Sequence, residues 1–291
     1  MKMKLLSLAL LTAGLVGTVS SLHAQDNAPP AARAATVAAP DPAQEINNLV
    51  RLFRAGDLAA LAQAMTPRSK WEAARAAFEA QRRKPVSEAD RARFAEHIQQ
   101  LTAPDAVDQL MRKIEPELVK ARPQMPGMLL MAFGAAHVAV TSPDSDLTDA
   151  QRKALQSVLP GMRLWASNTD FLSSASMRHA LTLLSDAARR TGITDVEQLK
   201  ALPLEGVLER AGPMLAAAKE AVRTYGIDLD AVADSLKVDV LALGTDSARV
   251  RTTITVFGAP VWAEHELVLI EGHWYGKYAL AEIDNLEELD G

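Results

Sequence analysis

At about Lys237 the apolar pattern of this chain changes period, from 3.6 residues to 2, and that switch limits the fold more than any other feature. Helical spacing fills the chain before it and alternation fills the chain after it. The expected class is therefore α+β and mainly helical: a helical-hairpin region over 42–235, then a four-stranded antiparallel β-meander over 236–281. The strands are read as Lys237–Leu243, Ala248–Phe257, Val261–Ile270 and His273–Leu280, and their short connections call for hairpins. So small a sheet cannot bury one face by itself. It is expected to pack on the helices just before it.

Helix-start signals punctuate the first region. Asp41-Pro42 is an N-cap followed by proline at the first helical position. Thr66-Pro67 opens a helix with Trp71, Ala74 and Phe78 on one face. Ser87 with Asp90, Thr102 with Asp105, Thr148 with Gln151 and Thr194 with Glu197 all have capping-box spacing. Gly192 and Gly226 stand where helices end. Gly212-Pro213 is expected to kink the helix that starts at Leu204, since proline lacks a donor and crowds the preceding turn. Met125 to Val140 is the most apolar stretch beyond the N-terminus. The preferred reading is a core helix buried on all sides, over a Met-rich surface for an apolar partner.

The two ends read differently. Lys2 and Lys4, the apolar run Leu5–Val19 and the small residue Ala24 have the layout of a signal peptide over 1–24, cleaved before Gln25. Residues 25–41 are Ala/Pro-rich and read as a disordered linker, and 282–291 as an acidic tail. The expected location is the periplasm, as a secreted, soluble product. No later stretch reads as long enough to span a bilayer, so no integral membrane segment is expected after cleavage. The chain has no cysteine, which excludes disulfides and thiolate chemistry. Net charge is −5, or −7 without Lys2 and Lys4. Such a balance argues against a nucleic-acid partner. Arg82-Arg83-Lys84, the densest basic run, suits a helix C-terminus.

The sheet can be read more finely. A two-residue turn at Gly258-Ala259 would set Arg251 against Glu266, Thr252 against His265 and Val250 against Leu267. A turn at Glu271-Gly272 would set Leu269 against Trp274, His265 against Tyr278 and Glu266 against Lys277. One face then carries a charged row, Arg251–Glu266–Lys277. The other is apolar but for Thr252, His265 and Tyr278, with Trp274 beside them. These four residues are the candidate pocket. Its histidine could serve as a general base, but no carboxylate on that face would orient it. Packing among hydrogen-bonded neighbours is the preferred account.

No other motif fixes a reaction. His97, His137 and His179 are scattered on helices. Glu264-His265-Glu266 splits across two faces, and Asp144, Asp146 and Asp149 lack the rest of a calcium loop. No metal and no cofactor are expected.

The closing segment, with Ala248, Val250, Phe257-Gly258, Leu267–Ile270 and Glu271-Gly272-His273-Trp274-Tyr275, resembles the last sheet of the nuclear-transport-factor-like α+β superfamily. That resemblance implies a curved sheet around a pocket, in members that range from isomerases to non-catalytic binding modules. The whole chain also resembles uncharacterised secreted proteins of Gram-negative bacteria, which implies periplasmic residence. The resulting expectation is a non-catalytic periplasmic binding or interaction protein, associated with the envelope, whose partner is a periplasmic protein or a small apolar ligand. The runner-up is a small-molecule or enzymatic pocket between the C-terminal sheet and helices 170–235.

Overall fold

The structure, a computed structural model, describes residues 40–142, 145, 147–281 and 283. The signal peptide, nearly all of the linker, the acidic tail, Asp144 and Asp146 lie outside the described residues.

Eleven α-helices precede the sheet among the described residues: α1 (Pro42–Ala55), α2 (Leu58–Met65), α3 (Arg68–Arg82), α4 (Glu88–Thr102), α5 (Ala106–Ala121), α6 (Met125–Thr141), α7 (Asp149–Asn168), α8 (Ser174–Thr191), α9 (Val196–Lys200), α10 (Leu204–Arg223) and α11 (Leu229–Asp234). A 3₁₀ turn, Arg122–Gln124, joins α5 to α6. The chain is α+β and mainly helical, closed by an antiparallel four-stranded meander. α8 and α10 pack on each other at the centre. α4 and α5 lie against α8, while α2 and α3 lie against α10.

Local signals place several helix ends. Asp41 accepts from the Ala43 amide, Ser87 from Asp90, and Thr148 completes a full capping box with Gln151. Two expected caps fall differently. Thr102 is the last residue of α4, its hydroxyl donating to Ile98, and α5 begins without a side-chain cap. Asp195, not Thr194, caps α9, because its carboxylate reaches both Glu197 and Gln198 amides. Gly212-Pro213 does not end α10, which runs through as one helix. A Cβ at Gly212 would lie 2.6 Å from the Gly56 carbonyl oxygen, so this glycine allows a close backbone approach.

Cations from distant helices cap other ends. Arg189 of α8 donates to the carbonyls of Thr102 and Ala103, and Ser185 to Leu101, where α4 stops. Arg210 donates to Thr191 at the end of α8. Lys219, only 6% exposed, donates to Arg54 at 2.9 Å and Phe53 at 3.4 Å, and pairs with Asp230 at 2.7 Å. Helix C-termini leave carbonyls unpaired and carry partial negative charge, so a buried ammonium is well placed there.

The strands are β1 (Lys237–Leu243), β2 (Ser247–Val256), β3 (Ala259–Ile270) and β4 (His273–Gly276), in the order β1-β2-β3-β4. The β2–β3 register differs from the sequence expectation by two residues. The turn is Phe257-Gly258, with φ of 49° and 80°, so Thr252 faces Ala263, Val250 faces His265 and Arg251 faces Glu264. Positive φ at both central positions is the I′ hairpin geometry, which matches strand twist. The fold imposes it on Phe257. Its ring packs 5.0 Å from Trp165 of α7, and its carbonyl oxygen would lie 2.0 Å from a Cβ at Gly161. A two-residue shift keeps every side chain on its expected face.

The β3–β4 pairing has Leu269 opposite Trp274, as expected. The charged row becomes two pairs, Arg251–Glu264 at 2.6 Å and Lys277–Glu266 at 2.9 Å. The opposite face forms a core of Ala248, Val250, Leu267 and Trp274, with Ile46 of α1 packed against it. The helices just before the sheet contribute less than expected. α11 touches β2, but α1, from the start of the described chain, reaches β1, β2 and β4.

α6 overturns its expectation. Only Val140 in it is buried, whereas Leu130, Met131 and Val138 are 76%, 73% and 61% exposed. One side lies on α7, where Gln156 donates to the Val140 carbonyl and the Arg163 guanidinium sits over Phe133. Through the 3₁₀ turn, Ala106–Thr141 is a 36-residue helix long and apolar enough to cross a membrane by length and composition, contrary to the expectation that no later stretch would be. Apolar composition alone could not show that only one side of α6 would be covered.

Candidate functional site

The four sequence-selected residues do not form one constellation. Thr252 and Trp274 are buried at 6% exposure each, and His265 is half-buried. The Thr252 hydroxyl and His265 Nε2 lie 2.9 Å apart, diagonal neighbours across β2 and β3. Burial pushes the His265 imidazole below its ordinary 6.5. Tyr278 leaves the sheet. β4 ends at Gly276 and a helical turn over 277–281 follows, in which Tyr278 is 57% exposed. The expected strand continuation to Leu280 fails here, so Tyr278 is not opposite His265 in a ladder.

Trp274 is held by the start of the chain instead. Its indole N–H donates to the Pro40 carbonyl at 2.7 Å, and its backbone N–H donates to Glu45 Oε2 at 2.5 Å. Glu45 Oε1 lies 2.8 Å from His273 Nδ1. One carboxylate of α1 thus grips two consecutive residues of β4.

Next to this grip is an open cleft of about 620 Å³, lined by Gln63, Thr66, Arg68, Trp71, Glu271, His273 and Tyr275. Its two walls are the α2–α3 corner and the β3–β4 hairpin. Pro67 offers α3 no side-chain cap, and the hairpin provides one: Glu271 Oε2 accepts from the Arg68 amide at 2.9 Å. Glu271 has φ of 54°, so the turn aims its side chain across the gap. Arg68 Nε pairs with Glu72 at 3.0 Å. Tyr275 is 7% exposed, and burial pushes its phenol up, with Glu271 and Glu45 adding to the effect. Each charged group of the cleft thus has a partner within the protein, although the Arg68 side chain is 83% exposed, while Trp71 and Tyr275 supply aromatic surface and Gln63 and Thr66 supply neutral polar groups.

None of this was visible locally. The walls come from residues 63–71 and 271–275, and Trp71 read simply as one member of a helix stripe. The Glu271-Gly272 turn was the one available signal, and it fixed a hairpin without revealing what that hairpin faces. Among the described residues, no group of three or more His, Asp or Glu side chains is placed to hold a metal ion. Comparison with protein-family models, with curated proteins and with solved structures finds no match.

Proposed function

We propose that this protein is a non-catalytic binding module of the periplasm, associated with the envelope, and that the Trp71–Tyr275 cleft is its ligand site. The observation that carries the reading is the state of the cleft's charged groups. Arg68, Glu271 and His273 are each paired within the protein. Beside them the cleft offers aromatic surface with neutral hydrogen-bonding groups, and that chemistry suits a small, uncharged, partly apolar ligand. The volume is in the range of small-molecule sites, ~300–1,000 Å³. The leader-like sequence of residues 1–24 supports export. A site built around His265 is less well supported, because its Nε2 is already engaged by Thr252 and Tyr278 lies beyond the end of β4.

The test is mass spectrometry of the protein purified from periplasm, with extraction of co-purified small molecules. We expect a product beginning at Gln25 that carries a neutral ligand, and a Trp71→Ala variant that keeps its circular dichroism while losing at least about tenfold in ligand occupancy, since lost aromatic contact is worth ~1.4 kcal/mol or more. Retention of the same ligand by Trp71→Ala would exclude the cleft.

A further inference from the structure

We propose that the outer face of α6 is a self-association surface, on which two copies pair their α6 helices antiparallel about a two-fold axis between residues 132 and 133. This stands apart from the cleft, which lies on other elements.

No Asp, Glu, Lys or Arg occurs from Met125 to Thr141. Phe133 and Val140 turn toward α7. At 100° per residue, the opposite side carries Gly127, Met131, Gly134, Ala135 and Val138, with Leu130 on its flank, all exposed. An uncharged apolar face of this length is unusual on a water-facing helix and marks a contact surface.

The two glycines indicate what kind of contact. Glycine inside a helix costs about 1 kcal/mol relative to alanine, so a mid-helix glycine needs a reason. Gly161 and Gly212 have one, a backbone carbonyl packed where a Cβ would be. Gly127 and Gly134 have nothing within 4 Å of that position. Seven residues apart, they lie on the same outward stripe, where a helix from outside could approach closely.

A second α6 fits that approach in one register. Antiparallel, with Met131 set over Gly134 of the other copy, Val138 falls over Gly127. Each large side chain meets a small one, and the two-fold axis repeats every contact, as an isologous pair requires. A helix face about 25 Å long pairs with its copy over less than the ~800 Å² per partner of a standard stable interface. An interface below the standard size suits a weak dimer that dissociates on dilution.

A bilayer fits less well. α7 runs along α6 and carries Arg152, Lys153 and Arg163, and Arg163 sits over Phe133 at the middle of α6. Immersing α6 would take that guanidinium into the lipid.

Sedimentation velocity over a concentration series, with vesicle flotation in parallel, tests this on the intact purified protein. We expect the mass to double between nanomolar and tens of micromolar, with no flotation on neutral or anionic phospholipid vesicles. Gly134→Leu should abolish dimerisation while leaving the fold intact and raising the dilute-limit melting temperature, because the added side chain meets open space and favours helix. Met131→Lys should likewise give a monomer. As the chain has no cysteine, Gly134→Cys alone should cross-link between copies with a short bifunctional reagent, and Met128→Cys, far from its own copy in this register, should not. A monomer at every concentration overturns the proposal, and one that floats with vesicles assigns the face to lipid. A dimer unaffected by Gly134→Leu and Met131→Lys also overturns it, and places the contact elsewhere. Ligand occupancy at Trp71 should be unchanged in all these variants, so either reading can fail without the other.

Discussion

His265 makes the sheet sensitive to pH through a single proton. Burial holds its folded-state pKa below the 6.5 of an exposed imidazole, so in that window the unfolded chain binds the proton more readily. Stability rises with pH wherever the unfolded state holds more protons. The contribution of His265 is therefore complete above pH 6.5 and is lost as pH falls through the window toward the folded pKa. Denaturant unfolding followed at stepwise pH below 6.5 should show this loss, and His265→Gln should flatten that part of the profile. Thr252, 6% exposed and 2.9 Å from the ring nitrogen, is the reason the substitution should be polar: alanine would also leave a buried hydroxyl short of a partner. The pairing of these two residues on one face was readable in the sequence, because alternation fixes faces. Their exact offset was not. Phe257-Gly258 and Gly258-Ala259 are both plausible two-residue turns, and the choice was made by Trp165 and Gly161, nearly a hundred residues upstream.

The same division runs through the helices and strands. Ends set by a neighbouring side chain, such as Asp41, Ser87 and the Thr148–Gln151 box, are written locally and could be read. Ends set by Arg189, Arg210, Lys219 or Glu271 come from 19 to more than 200 residues away, and no local pattern announces them. α6 is the counter-example at this scale, since its composition was read correctly and its surroundings were not. The α7–hairpin contact offers a sharp test. Replacing Gly161 by alanine puts a Cβ where the Phe257 carbonyl oxygen lies, and backbone on both sides can yield only by moving the hairpin off α7. Gly161→Ala should cost about 3 kcal/mol in equilibrium unfolding, at the upper end of overpacking effects. Near-ultraviolet circular dichroism should change with it, as Trp165 parts from Phe257. A loss under about 0.5 kcal/mol would mean the contact is looser than described.

At the scale of the whole molecule, the beginning and end of the described chain form one unit. Ile46 completes the sheet core, Pro40 and Glu45 hold Trp274, and Glu271 caps α3. Removing the Glu45 carboxylate leaves the amide of a buried residue without its acceptor. Glu45→Ala should lower stability by about 1–3 kcal/mol. Hydrogen exchange should speed up at 273–275 before it does in α8 or α10, because those helices pack mainly on each other and on α2 to α5. Equal loss of protection in both regions would show that the molecule opens as a single body.

That closure also dictates when the fold can be finished. Polypeptides are made from the N-terminus, and α1 is among the first segments to appear. Later helices cover part of its apolar stripe, but Ile46 gains its lasting cover only when residues 248–274 arrive, more than two hundred positions later. Throughout that interval Ile46 and its neighbours are open to any other apolar surface within reach. An emerging chain of this design therefore stays unlocked until residues 248–274 are released, and a shortened product ending before them would keep Ile46 unsheltered.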